Sequence, residues 1–207
     1  MYKIEDHDLY LIATSEHPIT ARFKNEIIEL KDGPLKFAGI STNFRREVGA
    51  HGISDRGIWR VHQFSKVEQV IICKPEDSKE MHNEILENAT HIFKKLEIPF
   101  RVIDICTGDI GTVAARKFDI EAWMPSSKKW KEVVSASNCK SYQSVRLNMR
   151  YRTQEGTDFP HTLNSTAVAT TRALAAILEN NQTDNGDVII PEVLRKWMGN
   201  QEIIEAK

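Results

Sequence analysis

The chain changes its apolar period in an irregular order, and that order restricts its fold more than any other feature. Short runs rich in β-branched and aromatic residues occur at 35–41, 59–64, 67–73, 100–106, 117–124 and 132–135, and each reads as a strand. A further apolar run at 9–12 is expected to be a buried strand. Helical spacing interrupts them at few places. Pro18 opens one helix whose Ile19, Phe23, Ile27 and Leu30 share a face before Asp32-Gly33-Pro34 stops it. Residues 77–96 form the clearest amphipathic helix, with Met81, Ile85, Ala89, Ile92 and Leu96 on one side. Residues 167–180 are alanine-rich and are expected to lie deeply buried. Runs of strands with a few long helices favour an α+β domain on an antiparallel sheet over a doubly wound parallel one. The sequence also lacks the glycine-rich phosphate loop of parallel nucleotide-binding folds. The polar stretches 48–57 and 180–187 read as loops within one domain spanning 1–207.

Charge and cysteine content narrow the class. With 28 basic against 29 acidic residues the net charge is -1, so any nucleic-acid contact must be local. Cys73, Cys106 and Cys139 are far apart, which argues against a disulfide scaffold or a zinc ribbon and suits a reducing compartment. No basic-then-apolar leader opens the chain, and no stretch approaches the about 20 apolar residues of a membrane span. A cytoplasmic protein with no membrane partner is expected.

Four segments carry chemistry. Phe44-Arg45-Arg46-Glu47 leads into a polar loop and returns through Arg60-Val61-His62-Gln63-Phe64 towards Glu68, which reads as a hairpin with a long tip. Taken alone, its alternating charges are equally those of a solvated strand face. His161-Thr-Leu-Asn164-Ser-Thr166 continues to Arg172 and then Ile177-Leu-Glu-Asn180, a strand turning into a helix that presents an arginine. Ser137-Asn-Cys139 is followed by Tyr142-Gln143 and by Arg146-Leu-Asn-Met-Arg-Tyr-Arg152, and Thr14-Ser15-Glu16 stands near the start.

In that order these segments resemble the second and third signature motifs of class II aminoacyl-tRNA synthetases, in their seryl branch. The wording, such as Asn164-Ser-Thr166, is similar to archaeal members, and the resemblance covers essentially the whole chain. It implies an antiparallel sheet flanked by helices with the active site on the open sheet face. The implied activity is that of a serine–tRNA ligase: L-serine is activated with ATP to seryl-adenylate, pyrophosphate leaves, and serine passes to the 3′ end of tRNA(Ser). The family begins with a helical tRNA-binding arm and a first motif that builds a homodimer. Neither is found in this sequence, so a portion lacking its N-terminal side is expected.

The resemblance also implies roles. Adenylation moves negative charge through the α-phosphate, which fixed guanidinium groups stabilise. Arg45 and Arg172 are the catalytic candidates, Arg45 at the α-phosphate and serine carboxylate, Arg172 at the distal phosphates. Arg46, Glu47, Val61, Phe64, Glu132, Val133, Val134 and Ser135 complete the expected ATP site, with Glu47 on the adenine amino group and Phe64 under the purine. Glu132 and Ser135 are expected to hold the Mg²⁺ that accompanies ATP. Thr14, Ser15, Glu16, Arg45, Glu68, Asn164 and Thr166 are expected around serine, with Glu16 and Glu68 on its ammonium.

His51, His62 and His161 are too dispersed for a zinc site, and none is expected. Lys128, Lys129 and Lys131 are a candidate contact for the tRNA acceptor end or simply a solvated hairpin. Two other readings stay open: a ligase that charges a carrier protein, and a non-catalytic synthetase-like domain.

Overall fold

Period-two alternation carries most of the chain into one sheet. The computed structural model describes residues 1–47 and 57–207. In chain order the elements are α1 (Glu16–Ala21), β1 (Ile27–Ile28), β2 (Leu35–Phe44), β3 (Gln63–Cys73), α2 (Ser78–Lys95), β4 (Phe100–Asp104), β5 (Arg116–Met124), β6 (Lys129–Asn138), α3 (Tyr142–Leu147), β7 (Arg150–Thr153), β8 (Gly156–Asp158), β9 (His161–Ala169), α4 (Thr170–Asn180), β10 (Val188–Ile189), α5 (Glu192–Arg195) and β11 (Ile203–Ile204). Among the described residues, six strands form a sheet in the order β2-β3-β9-β6-β5-β4. Every neighbouring pair in it is antiparallel. The late strand β9 enters at the centre, between β3 and β6, so residues far apart in sequence meet on one surface.

One face of this sheet is the core. On β3, Ile71 and Cys73 meet Met81 and Ile85 of α2, with Leu163 of β9 and Ala136 of β6. Further along, Phe93 of α2 and Ala176 of α4 join Ile120, Ala122, Met124 and Val134. Fully burying a side chain such as Ile85 or Phe93 contributes about 1.5–3 kcal/mol. On the other face, Ile72 packs with Ile28, Leu30, Met149 and Tyr151. Those residues belong to or flank a small sheet of order β1-β7-β8, which covers one end of the open face. Beyond that cover, the face is free to form a site.

Several sequence expectations are corrected. The helix opened near Pro18 ends at Ala21 instead of reaching Leu30. Asn25 adopts a left-handed conformation at φ 62, which asparagine tolerates. The Asn25 amide donates to the Leu147 carbonyl and the Arg150 amide to the Glu26 carbonyl, so Ile27 and Ile28 become a strand beside β7. The run at 9–12 is no buried strand: Tyr10 makes a single bridge to Lys3, and Leu9 and Tyr10 are exposed, because four apolar residues have no second ladder to join. The strand expected from Trp59 begins only at Gln63 and then continues without a break to Cys73. The final helix starts at Thr170, and only Ala173 and Ala176 are buried. Leu174 and Leu178 are 48% and 37% exposed, since the small alanines make the contact with the sheet. The tip of the hairpin at 48–56, with His51, lies outside the described residues.

Candidate active site

The open sheet face holds a cleft of about 800 Å³, counting its mouth. Phe64, Lys66 and Glu68 reach it from alternate positions of β3, as a strand requires. β6 and β9 reach it differently. In β6 the pairing with β5 passes from Ile120 opposite Val134 to Glu121 opposite Glu132, so Val133 is one residue too many. Strand residues three apart ordinarily face opposite ways, and this bulge reverses the count. Glu132 and Ser135 therefore both line the cleft while Val134 enters the core. In β9 the pairs Glu68–Thr166 and Val67–Val168 bracket an extra Ala167. Thr166 and Ala169, again three apart, both line the cleft.

One end is built from carboxylates held in place by donors. Glu68 and Lys66 form a buried ion pair of 2.5 Å, Lys66 Nζ also donates to Thr14 Oγ1 at 2.9 Å, and the Thr166 hydroxyl donates to Glu68 Oε2 at 3.0 Å. Burial pushes the Glu68 carboxyl above its ordinary value, the Lys66 ammonium pulls it back, and the nearby charge of Glu16 raises it further. Glu16 Oε1 accepts from Asn164 Nδ2 at 3.0 Å and from Gln143 Nε2 at 2.6 Å. Below it, the Cys139 thiol is pushed up to about 12 by burial and by the Glu16 charge. Two carboxylates, a buried lysine and three small polar side chains suit a ligand that carries an ammonium and a hydroxyl.

The opposite end is built from guanidinium groups and aromatic rings. Arg45 Nε donates to the Ala13 carbonyl at 3.2 Å, and its guanidinium lies 5.3 Å from the centre of the Phe64 ring. Arg172 Nη1 donates to the Glu132 backbone carbonyl at 3.0 Å and to its Oε1 at 3.1 Å, with the Trp59 ring 5.7 Å away. Lys131 lies over the same ring at 5.0 Å. Glu47, at φ 47, pairs with Arg60 at 3.4 Å. Asp119, opposite Ser135, is buried, and its Oδ1 has no hydrogen-bond partner among the described residues. Burial and then the Glu132 charge raise its carboxyl, while Ser135 and Lys117 pull it down. The surroundings can receive a polyanion beside an aromatic base.

The cleft gathers Thr14, Glu16, Arg45, Glu47, Val61, Phe64, Glu68, Glu132, Val133, Ser135, Asn164, Thr166 and Arg172, all singled out from sequence. Three other candidates do not line it. Ser15 turns behind, its hydroxyl donating to the Gly39 carbonyl at 3.3 Å. Arg46 is exposed outside the cleft, and Val134 is in the core. His62 contacts the Tyr2 hydroxyl, and half-buried His161 is shifted below its ordinary value by burial and then by Lys140. Sequence reasoning missed Lys66, Trp59, Arg60, Ala169 and Thr171 in the lining, and Gln143 behind it. Lys66 was accessible to it, since 64, 66 and 68 share a strand face.

The model of the tRNA synthetase class II core domain (G, H, P, S and T) matches residues 2–181. The chain belongs to this family. It is 60% identical to the serine–tRNA ligase of Methanospirillum hungatei over 99% of its own length and 49% of that protein's. It superimposes on the seryl-tRNA synthetase of Pyrococcus horikoshii complexed with ATP with a TM-score of 0.95 and 54% identity, covering 100% of this chain and 46% of that one. The cytoplasmic serine–tRNA ligase of Naegleria fowleri, in complex with AMP, gives 0.92 and 44%, covering 100% and 49%. The chain thus spans about half the length of these relatives. Its sheet and helices have the class II synthetase fold.

Proposed function

We propose that this cleft activates L-serine with ATP, and that the whole protein passes the seryl group to tRNA(Ser). The observation that carries the reading is the division of the cleft into an end with Glu16 and Glu68 and an end with Arg45 and Arg172. Glu16 and Glu68 take the serine ammonium, and Thr166 with Asn164 reads its hydroxyl. An alanine in the same place leaves those buried polar groups unpaired. A serine carboxylate oxygen attacks the α-phosphorus of ATP, a new P–O bond forms, and the bond to the β-phosphate oxygen breaks to release pyrophosphate. Arg45 neutralises the carboxylate and α-phosphate as they approach, and Arg172 steadies the departing charge. Glu47 faces the adenine amino group and Phe64 supports the ring.

Glu132 and Ser135 offer oxygen donors only, and Asp119 adds a buried oxygen without a partner beside them, a donor set that suits Mg²⁺. Bound with ATP, the ion supplies positive charge to the phosphates. The matches to proteins complexed with ATP and AMP support the nucleotide assignment, and the cytoplasmic relative supports a cytoplasmic enzyme. A homodimer is the assembly we propose for the whole protein.

Serine-dependent exchange of pyrophosphate into ATP, measured on the whole natural protein, tests the reading. Arg45→Ala is expected to lower the exchange rate by roughly 10²–10³-fold, the scale of removing one transition-state donor. Exchange that does not depend on serine, or that is unaffected by Arg45→Ala, would refute it.

A further inference from the structure

Gln143 does not line the cleft, yet it is hydrogen-bonded to one of the two cleft carboxylates. It lies on α3, whose Ser144 is fully buried and donates to the Pro160 carbonyl at 2.6 Å, so the helix is fixed against the segment entering β9. The Gln143 amide stands between two partners. Thr162, fully buried, donates its hydroxyl to Gln143 Oε1 at 2.6 Å, and Gln143 Nε2 donates to Glu16 Oε1 at 2.6 Å.

The chemistry of these groups sets the direction of the relay. An amide has one accepting end and one donating end. A glutamate oxygen facing it needs the donating end, and the Thr162 hydroxyl, whose other bonds are to nothing else in the described residues, gives its proton to the accepting end. Reversing the amide would place its oxygen against a carboxylate that can only accept, losing that bond, and would force the Thr162 hydroxyl to accept where it now donates. Glu16 Oε1 also accepts from Asn164 Nδ2, so that oxygen is occupied by two N–H donors. No donor among the described residues bonds Glu16 Oε2. Glu68 is arranged in the same way, with Oε2 held by Lys66 and Thr166.

We propose that Gln143, oriented by Thr162, is a positioning residue for serine: by holding one oxygen of Glu16 it leaves the other for the substrate ammonium. The assignment rests on the serine reading of the cleft. The side-chain hydrogen bonds of Gln143 and Thr162 lead to Glu16 and to none of Arg45, Glu47 or Phe64 among the described residues, so the relay acts on serine and not on ATP. Thr162 acts only through Gln143, so the two effects must fail to add.

Steady-state exchange on the whole natural protein, varying serine and ATP separately, decides it. Gln143→Leu is expected to raise the KM for serine about tenfold, the cost of one charge-assisted hydrogen bond, with the KM for ATP and kcat nearly unchanged. Thr162→Val should raise it about threefold, and the double variant no more than Gln143→Leu alone. Gln143→Met, closer in shape, repeats the measurement if the leucine variant misfolds. An unchanged serine KM, an ATP KM that rises in parallel, or additive effects would overturn the assignment. If the unaltered protein shows no serine dependence, the serine reading itself fails and the assignment falls with it.

Discussion

Gly39 stands directly opposite Glu68 across the β2–β3 ladder, and the space where its side chain would be is filled by Ser15 and Ile19. A Cβ at position 39 would lie 2.7 Å from Ser15 Cβ and 2.8 Å from Ile19 Cδ1. The absence of a side chain is what lets α1 settle on the sheet and carry Glu16 close to Glu68. Gly39→Ala is therefore expected to cost about 1–3 kcal/mol by overpacking and to weaken serine more than ATP. Urea unfolding and the two KM values check this. A variant of unchanged stability and serine KM would show that α1 can move away freely.

Lys66 and Glu68 are 6% and 3% exposed at their side chains, so neither charge is stabilised by water. Removing one strands the other, at a cost of about 3–5 kcal/mol. Lys66→Met should lose that much in chemical denaturation, and Lys66→Met combined with Glu68→Gln should recover part of it. A double variant less stable than Lys66→Met would contradict the pairing.

His82 is buried on α2, where Nε2–H donates to the Ala136 carbonyl at 3.0 Å and the ring meets Phe118. Burial lowers its ionisation from the ordinary 6.5, Arg116 acts in the same direction, and the Ala136 carbonyl and Asp104 oppose it. In the unfolded chain the imidazole takes up its proton more readily, so the stability it contributes is present above pH 6.5 and is lost as pH falls through its lower folded value. His82→Gln keeps a donor for Ala136 and should flatten the fall in stability on acidification. Melting curves across that range measure the slope. His161, shifted the same way, adds to that slope.

Much of this was legible because strand and helix periods are local. The face of α2 can be read from Met81, Ile85 and Ala89, and the motif from Phe44 to Phe64 names Arg45, Glu47, Val61 and Phe64 of the cleft lining. The parts that escaped depend on distant partners. Ile27 fits a helical stripe until β7, over a hundred residues later, offers it and Ile28 a ladder. Gln143 looks like an ordinary polar helix residue until Glu16 and Thr162 arrive on either side. Glu132 and Ser135 were paired through resemblance alone, since three-residue spacing on a regular strand argues against their sharing a face.

The extra residues Val133 and Ala167 make the spacing of β6 and β9 intolerant of length changes in a way that the surrounding loops are not. A one-residue insertion or deletion between either bulge and the ladder it interrupts exchanges inside for outside. It would send Ser135 or Thr166 towards α2 and bring Val134 or Leu163 out to solvent. Related chains that keep this chemistry should therefore differ in size at their turns, while the count of residues between Glu132 and Ser135, and between Asn164 and Ala169, stays constant.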